Sequence, residues 1–389
     1  MSLKKSFELC APCHFGTEAV LKREIYDLGY EITRVDDGRV SFLGDAEAVV
    51  RANLCLRSAE RVLIVVGRFF ATTFDELFDE VVKLPIEDYV LPDGRFWVTK
   101  ATTVKSKLFA PSSIQSIVKK AMVKRMEEAF SQSSFPETGE DFPFRIFFYK
   151  DEVLLTLDTT GVSLHKRGYR TWTSEAPLSE TLASALISLT PWHPDRIMVD
   201  PFCGSGTFLI EAAMRAANMM PGVRREFTAE KWTHLIPADL WRDIREELLE
   251  AETPDTKVYL YGYDIDPAVV DIARKNAKNA GVDHLIHFQV RDVADMSHAK
   301  KYGFILTNPP YGERLMASGD VDALYHTLGE VYERLDSWSM YVITSYDKAC
   351  EAIGKKPDKN RKIYNGMLKT YFYQFMGPKP PKRNKQERQ

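Results

Sequence analysis

Long apolar runs are missing from this chain. No uninterrupted stretch approaches the roughly 18 residues that a membrane-spanning helix needs, and Met1-Ser2-Leu3-Lys4-Lys5 does not lead into a secretory-type apolar core. The expectation is a cytoplasmic protein. Cysteine is scarce: five in 389 residues, odd in number and scattered, argue against a disulfide framework. Cys10-Ala11-Pro12-Cys13 is formally a CxxC, but only His14 lies close by, and a zinc site needs more ligands. The pair reads as small apolar residues at a strand end, and no metal is expected. A surplus of charge is also missing, since the net value of −3 does not advertise a nucleic-acid binder. Finally, Gly204-Ser205-Gly206 lacks the third glycine of a dinucleotide fingerprint, because position 209 is Leu209.

What is present belongs to a folded protein of more than one core. Apolar and charged fractions of 44% and 28% are ordinary for a globular chain. At 389 residues it is too long for one domain. The balanced charge hides a local asymmetry: Arg95 to Arg125 holds eight lysines and arginines and no acid.

Through residue 165 the pattern is α+β. Strands are expected over Phe7–Cys13, Gly38–Leu43, Arg61–Phe70 and Arg95–Thr102, with helices over Gly16–Leu28, Asp45–Cys55 and Thr73–Lys83. Ser112 or Ser113 should cap a helix reaching about Phe130, with Ile114, Ile117, Val118, Ala121, Met122 and Met126 on its apolar face. Phe144–Tyr149 and Glu152–Thr159 should form a hairpin around Lys150-Asp151. From Arg196 onward strands and helices alternate in the doubly wound manner. Five parallel strands, Arg196–Val199, Lys257–Tyr263, Ile286–Val290, Phe304–Thr307 and Ser339–Thr344, should be closed by an antiparallel hairpin turning at Asn365-Gly366. That arrangement resembles the sheet of a class I methyltransferase, whereas a nicotinamide-type Rossmann domain would continue in parallel. The segment from Arg215 to Thr256 interrupts the alternation, and its Phe227, Trp232 and Trp241 imply that it packs onto something.

Asp200-Pro201-Phe202-Cys203-Gly204-Ser205-Gly206-Thr207 lies between a strand and a helix, where open α/β sheets bind ligands. Its glycines can take backbone angles closed to other residues. A carboxylate ending the second strand, Asp264, can accept both hydroxyl hydrogens of a ribose. Asp266 followed by Pro267 reads as a helix cap. Asp292 ends the third strand and could accept from an adenine amino group. An acid beside a glycine turn suits a cationic amino acid end better than a pyrophosphate, so S-adenosylmethionine is preferred to a nicotinamide dinucleotide. Asn308-Pro309-Pro310-Tyr311 ends the fourth strand. Its carbonyls can only accept at the prolines. They would hold an exocyclic amine for in-line attack by positioning, and Tyr311 would stack on the base. A base within a helix would have to be flipped out first.

These two motifs together resemble the amino-group methyltransferases that act on nucleic acid bases. The continuation Gly312-Glu313-Arg314-Leu315, the linker His165 to Arg170 and the stretch Ala176 to Ala183 narrow the likeness. Over nearly its whole length the chain resembles the THUMP-containing 23S rRNA guanine-N2 methyltransferases, often labelled adenine-N6 DNA methylases. The resemblance implies a Rossmann-like class I methyltransferase domain (166–389, insertion about 215–256) preceded by an α+β ferredoxin-like portion (1–55) and a THUMP RNA-binding domain (56–165). It implies S-adenosylmethionine held by the stretch Asp200, Phe202, Gly204, Ser205, Gly206 and Thr207 with Asp264, Ile265 and Asp292. Pro177, Glu180 and Thr181 border its methionine end. Asn308, Pro309, Pro310 and Tyr311 take the base. Lys100, Lys105, Lys107, Lys119, Lys120, Lys124 and Arg125 become RNA phosphate contacts that position without specifying. The rival readings are an adenine-N6 methylase acting on DNA and a catalytically silent RNA-binding assembly factor.

Overall fold

The computed structural model describes residues 6–170, 178–310, 321–366 and 368–381. The chain divides into two compact units. One comprises Met1–Cys13, Lys22–Leu164 and Gly222–Glu247; the other comprises His14–Leu21, His165–Pro221 and Leu248–Gln389. Among the described residues no helix is long and apolar enough to cross a membrane.

The first unit is built on one seven-stranded sheet. Its strands are β1 (Phe7–Pro12), β2 (Ile32–Asp36), β3 (Arg39–Gly44), β4 (Leu63–Phe70), β5 (Arg95–Val104), β6 (Asp141–Tyr149) and β7 (Glu152–Asp158), in the order β2-β3-β1-β4-β7-β6-β5. Only β5 and β6 run parallel. β4 bonds to both β1 and β7, so one continuous sheet carries the ferredoxin-like strands and those that follow. β2 was not anticipated. It is a short edge strand with alternating polar residues, and its turn is Asp37-Gly38, an Asp-Gly hairpin signal with Gly38 at φ 76°. The helix Pro111–Phe130 begins one step before the expected serine cap. Ala110 occupies the cap position, and Pro111 sits in the first turn, where its missing N–H costs nothing. Ile114, Val118, Ala121, Met122 and Met126 are buried as the periodicity demands; Ile117 is only partly covered.

Residues 222–247, inside the interrupting segment, pack within this first unit. Trp232 is fully buried, stacks on Phe142 at 5.2 Å between centroids, and donates its indole N–H to Asp141 O at 2.9 Å. Phe227 stacks on Trp241 at 5.4 Å. Trp232 therefore covers the start of β6, while Phe227 and Trp241 pack on each other.

The second unit carries the alternating half. β8 (Met198–Asp200), β9 (Leu260–Asp264), β10 (Ile286–Val290), β11 (Phe304–Thr307), β12 (Ser339–Thr344), β13 (Lys359–Asn365) and β14 (Leu368–Phe375) lie in the order β10-β9-β8-β11-β12-β14-β13. The first five are parallel and the last two antiparallel, as expected. Asn365 pairs with Leu368, so the reversal begins at Gly366, one position later than the Asn-Gly signal suggested. Parallel strands buried on both faces need apolar runs. Here one face packs on Leu182, Leu186, Phe208, Leu209 and Val270, the other on Tyr325, Leu328, Val331 and Trp338. From β8 the chain moves outward to β9 and β10, then crosses to β11 on the other side. That reversal opens a crevice at the carboxyl ends of β8 and β11.

Candidate active site

The turn after β8 holds its shape through backbone chemistry. Gly204 (φ 51°) and Gly206 (φ 84°) are both left-handed. At Gly204 an added Cβ would meet nothing within 4 Å, so the requirement there is conformational. At Gly206 it would stand 3.0 Å from the Phe288 ring, so space and angle both demand glycine. The helix Thr207–Ala216 starts directly from this residue.

The turn is fastened to the neighbouring strand end. Cys203 N–H donates to Tyr263 O at 2.8 Å, and Gly204 N–H donates to Asp264 Oδ2 at 3.1 Å. Asp264 Oδ1 accepts from Asp266 N–H at 3.1 Å, and burial raises its carboxyl. Both oxygens thus take backbone bonds and keep lone pairs for a hydroxyl. Asp266 caps the helix Pro267–Asn279 by accepting from Ala268 N–H at 2.8 Å, the role read from its Pro267 neighbour. Asp292 accepts from Ala294 N–H at 2.8 Å as cap of a short turn, and it also borders the cavity described below.

Asp200 is the buried member of the set, 2% exposed. Its Oδ1 accepts from Thr307 Oγ1 at 2.6 Å and from Phe202 N–H at 3.2 Å. Burial pushes its carboxyl up to about 7, against the two hydrogen bonds that pull it down; Asp264 adds a small further rise. Thr307 ends β11 and immediately precedes Asn308, so the acid is bonded to the last residue of the strand that carries the second motif.

One cavity of about 600 Å³ joins these groups. Of the residues singled out from the sequence, Asp200, Phe202, Gly204, Ser205, Thr207, Asp264, Ile265, Asp292, Asn308 and Pro310 border it. Gly206 does not, since it faces Phe288 and Ala273. Pro309 is buried behind the wall. Glu180 and Thr181 also lie off the wall. Glu180 is a buried ion-pair partner of Arg170 at 3.3 Å, its carboxyl raised by burial. Thr181 Oγ1 sits 3.3 Å from Ser179 Oγ. Their segment reaches the cavity through Leu178 instead. Pro177 and Tyr311 lie outside the described residues.

Sequence reasoning missed Arg170 as a fastening group. Its guanidinium donates to Thr207 Oγ1 at 2.8 Å and to Leu178 O at 3.0 Å, tying the incoming segment to the glycine turn. A lone arginine in a linker carries no periodic signal. Leu324 and Val293, apolar wall residues, were missed for the same reason.

The basic stretch separates into two groups. Lys119 pairs with Glu137 at 2.6 Å, Lys124 with Glu128 at 3.4 Å, and Arg125 is bonded through two nitrogens to Glu87. These three were expected among the phosphate contacts; Lys119 and Arg125 meet carboxylates from outside their helix, and Lys124 meets Glu128 one turn along the same helix. Lys100, Lys105, Lys107 and Lys120 are exposed, and among the described residues none has a salt-bridge partner. Cys10 and Cys13 are buried at the β1 end, and among the described residues no three potential metal ligands gather.

A doubly wound sheet with a glycine turn and three carboxylates at consecutive strand ends defines a Rossmann-like methyltransferase. Residues 167–374 match the RMKL-like methyltransferase domain, residues 8–63 the RlmL ferredoxin-like domain and residues 71–158 the THUMP domain. The chain belongs to the RMKL-like methyltransferase family. It is 43% identical over 98% of its length to the Bacillus subtilis protein named "Putative RNA methyltransferase YpsC", covering 99% of that chain. It is 31% identical to the ribosomal RNA large subunit methyltransferase K/L of Shewanella frigidimarina over 94% of its own length, but spans only 52% of that longer relative. Among solved structures, a possible methylase from Clostridium difficile 630 superposes with a TM-score of 0.93 at 46% identity, over 97% of this chain and 100% of the other. SMU.472, crystallised with SAH, gives 0.90 at 43% over 97% and 100%.

Proposed function

We propose that this protein transfers a methyl group from S-adenosylmethionine to the exocyclic N2 of a guanine in 23S rRNA. One observation carries the reading: Asp200 and Asn308, at the ends of adjacent strands, border one cavity and are linked through Thr307. The donor set fits the cofactor. Its volume lies within the range of pockets for nucleoside-sized ligands. A buried acid suits an ammonium, Asp264 suits a ribose diol, and Ile265 and Val293 supply apolar walls beside Asp292 for an adenine. When bound, S-adenosylmethionine supplies an electrophilic methyl group on a sulfonium. The chain's own residues then bind, orient and exclude water. Asn308 and the carbonyl of Pro310 accept from the target amine, and Tyr311 stacks on the base, with Pro309 stiffening the turn from behind the wall. No proton need be removed before attack, because the contribution is orientation.

RNA as the substrate is supported by the THUMP match and by what the named relatives are called. Guanine N2 and adenine N6 are both exocyclic amines, so the turn chemistry alone admits either. Mass-spectrometric nucleoside mapping of rRNA and DNA from cells lacking the protein tests the proposal. Loss of one N2-methylguanosine from 23S rRNA is expected. Loss of N6-methyladenine from DNA instead would overturn the substrate assignment.

A further inference from the structure

His14 follows the Cys10-x-x-Cys13 pair in sequence, but it belongs with the second unit, as do all the residues it meets below. The chain around it makes a tight turn of its own. Thr17 N–H and Thr17 Oγ1 both donate to His14 O, at 3.0 and 2.7 Å, and Gly16 N–H donates to the Glu18 carboxylate. This turn is seated on β13. Gly16 is left-handed at φ 92°, and a Cβ added there would stand 2.7 Å from Lys362 O, so only glycine permits the approach. Phe15 meets the Tyr364 ring edge-on, 5.7 Å between centroids.

The imidazole joins two segments that are far apart in sequence. Its Nδ1 lies 3.0 Å from Tyr364 O, and its Nε2 lies 2.9 Å from Ser179 Oγ, with Thr181 Oγ1 at 3.5 Å. A carbonyl can only accept, so Nδ1 donates to Tyr364 O; in the neutral ring Nε2 then accepts the Ser179 hydroxyl hydrogen. The Tyr364 end is firm. β13 is paired with β14 along its length, and Ile363 is fully buried in the same core as Leu178, Leu182 and Phe372. The Ser179 end leads to the cofactor. Ser179 caps the helix Glu180–Ser188 by accepting from Leu182 N–H at 3.3 Å, and Leu178 just before it borders the cavity. Leu178 O also takes the Arg170 guanidinium that holds Thr207. The wall at Leu178 is thus tethered twice, to the glycine turn through Arg170 and to the C-terminal hairpin through His14.

We propose that His14 is a positioning residue for cofactor binding, bracing the wall segment Leu178–Thr181 against the β13–β14 hairpin so that the wall is fixed before binding. His14 itself does not border the cavity. A wall ordered in advance raises affinity because its ordering is not charged to the binding step. The inference rests on the cavity taking S-adenosylmethionine and is independent of which base accepts the methyl group.

Titration calorimetry with S-adenosylmethionine on the full chain tests the brace. His14→Phe keeps a ring and deletes both bonds; affinity should fall about threefold to tenfold, the worth of one neutral hydrogen bond. His14→Asn and His14→Gln each reproduce one nitrogen position, and each should lose as much, because a brace fails when either end is released. Ser179→Ala should lose at least as much, since it also removes the helix cap. Ser179→Thr keeps the hydroxyl and should bind as the wild type does. The double variant His14→Phe/Ser179→Ala should bind no more weakly than Ser179→Ala alone, since both cut the same link. Thermal unfolding midpoints are measured on every variant; should His14→Phe not fold, the asparagine and glutamine variants carry the test. Lowered midpoints with wild-type affinity would make His14 a structural residue only and overturn the proposal. Additive losses in the double variant would overturn it as well. Wild-type protein that does not bind S-adenosylmethionine would instead sink the cofactor assignment itself.

Discussion

Thr307 Oγ1 donates to Asp200 Oδ1 across 2.6 Å, both residues buried. The first ends the strand that presents Asn308; the second begins the glycine turn. Replacing Thr307 with valine keeps shape and deletes the donor. A buried carboxylate that loses one of two donors should ionise less readily, and a hydrogen bond to a charged group is worth about 1.5–3 kcal/mol. Calorimetry on Thr307→Val should show S-adenosylmethionine bound on the order of tenfold more weakly at neutral pH, with the pH at half-affinity moved upward. An unmoved pH midpoint would mean that the bond has no functional role.

The pH dependence of the unaltered protein follows from the same carboxyl. Burial raises it from 3.8 to about 7. An acid raised on folding stabilises fully below its unfolded value and loses that contribution as pH climbs toward the folded one. Ligand-free protein should therefore lose stability between about pH 4 and pH 7 from this group. Cofactor affinity should rise over the upper part of that window, because an ammonium needs the ionised acid. Asp200→Asn should flatten both curves and raise the unfolding midpoint at pH 8. Affinity that stays level from about pH 6 to pH 8 in the wild type would contradict the assignment of Asp200.

Asp264→Asn tests the sugar site. Asp264 holds Gly204 and Asp266 through different oxygens. An amide offers only one acceptor oxygen, so one N–H loses its partner while the diol loses an anion. S-adenosylmethionine binding should fall on the order of a hundredfold, at about 1.5–3 kcal/mol for each of two affected bonds. Titration calorimetry showing wild-type affinity would remove Asp264 from the site.

Asn308→Ala separates binding from chemistry. Asn308 borders the cavity, and among the described residues it makes no hydrogen bond to the glycine turn. Cofactor affinity should stay near the wild-type value while methyl transfer to RNA falls by a factor of about 100 or more, as loss of a positioning contact implies. Full methyl transfer by this variant would place the base elsewhere.

The pairings of Lys119 and Arg125 show where pattern reading stopped. Charge runs are visible in sequence, but their neutralisation is not. Glu137 and Glu87 lie 18 and 38 positions away from Lys119 and Arg125, and only the packing of the helix Pro111–Phe130 brings them together. β2 went unseen because an edge strand needs little apolar content, although its Asp37-Gly38 turn was legible. By contrast the parallel strands of the second sheet were legible because burial on both faces forces continuous apolar runs.

Sequence alone determined the alternation of strands and helices from residue 196 onward, the glycine turn, the acids at the strand ends and the Asn-Pro-Pro motif. Those features are set by local rules of period, capping and backbone freedom. Tertiary structure decided that Asp200 reaches Thr307 across 107 positions, that Arg170 fastens Thr207, and that Glu180 and Thr181 stand behind the cavity wall. Hydrogen bonds between distant segments and the burial that shifts an acid depend on which strands become neighbours. Sheet order fixes that, and residue spacing does not record it.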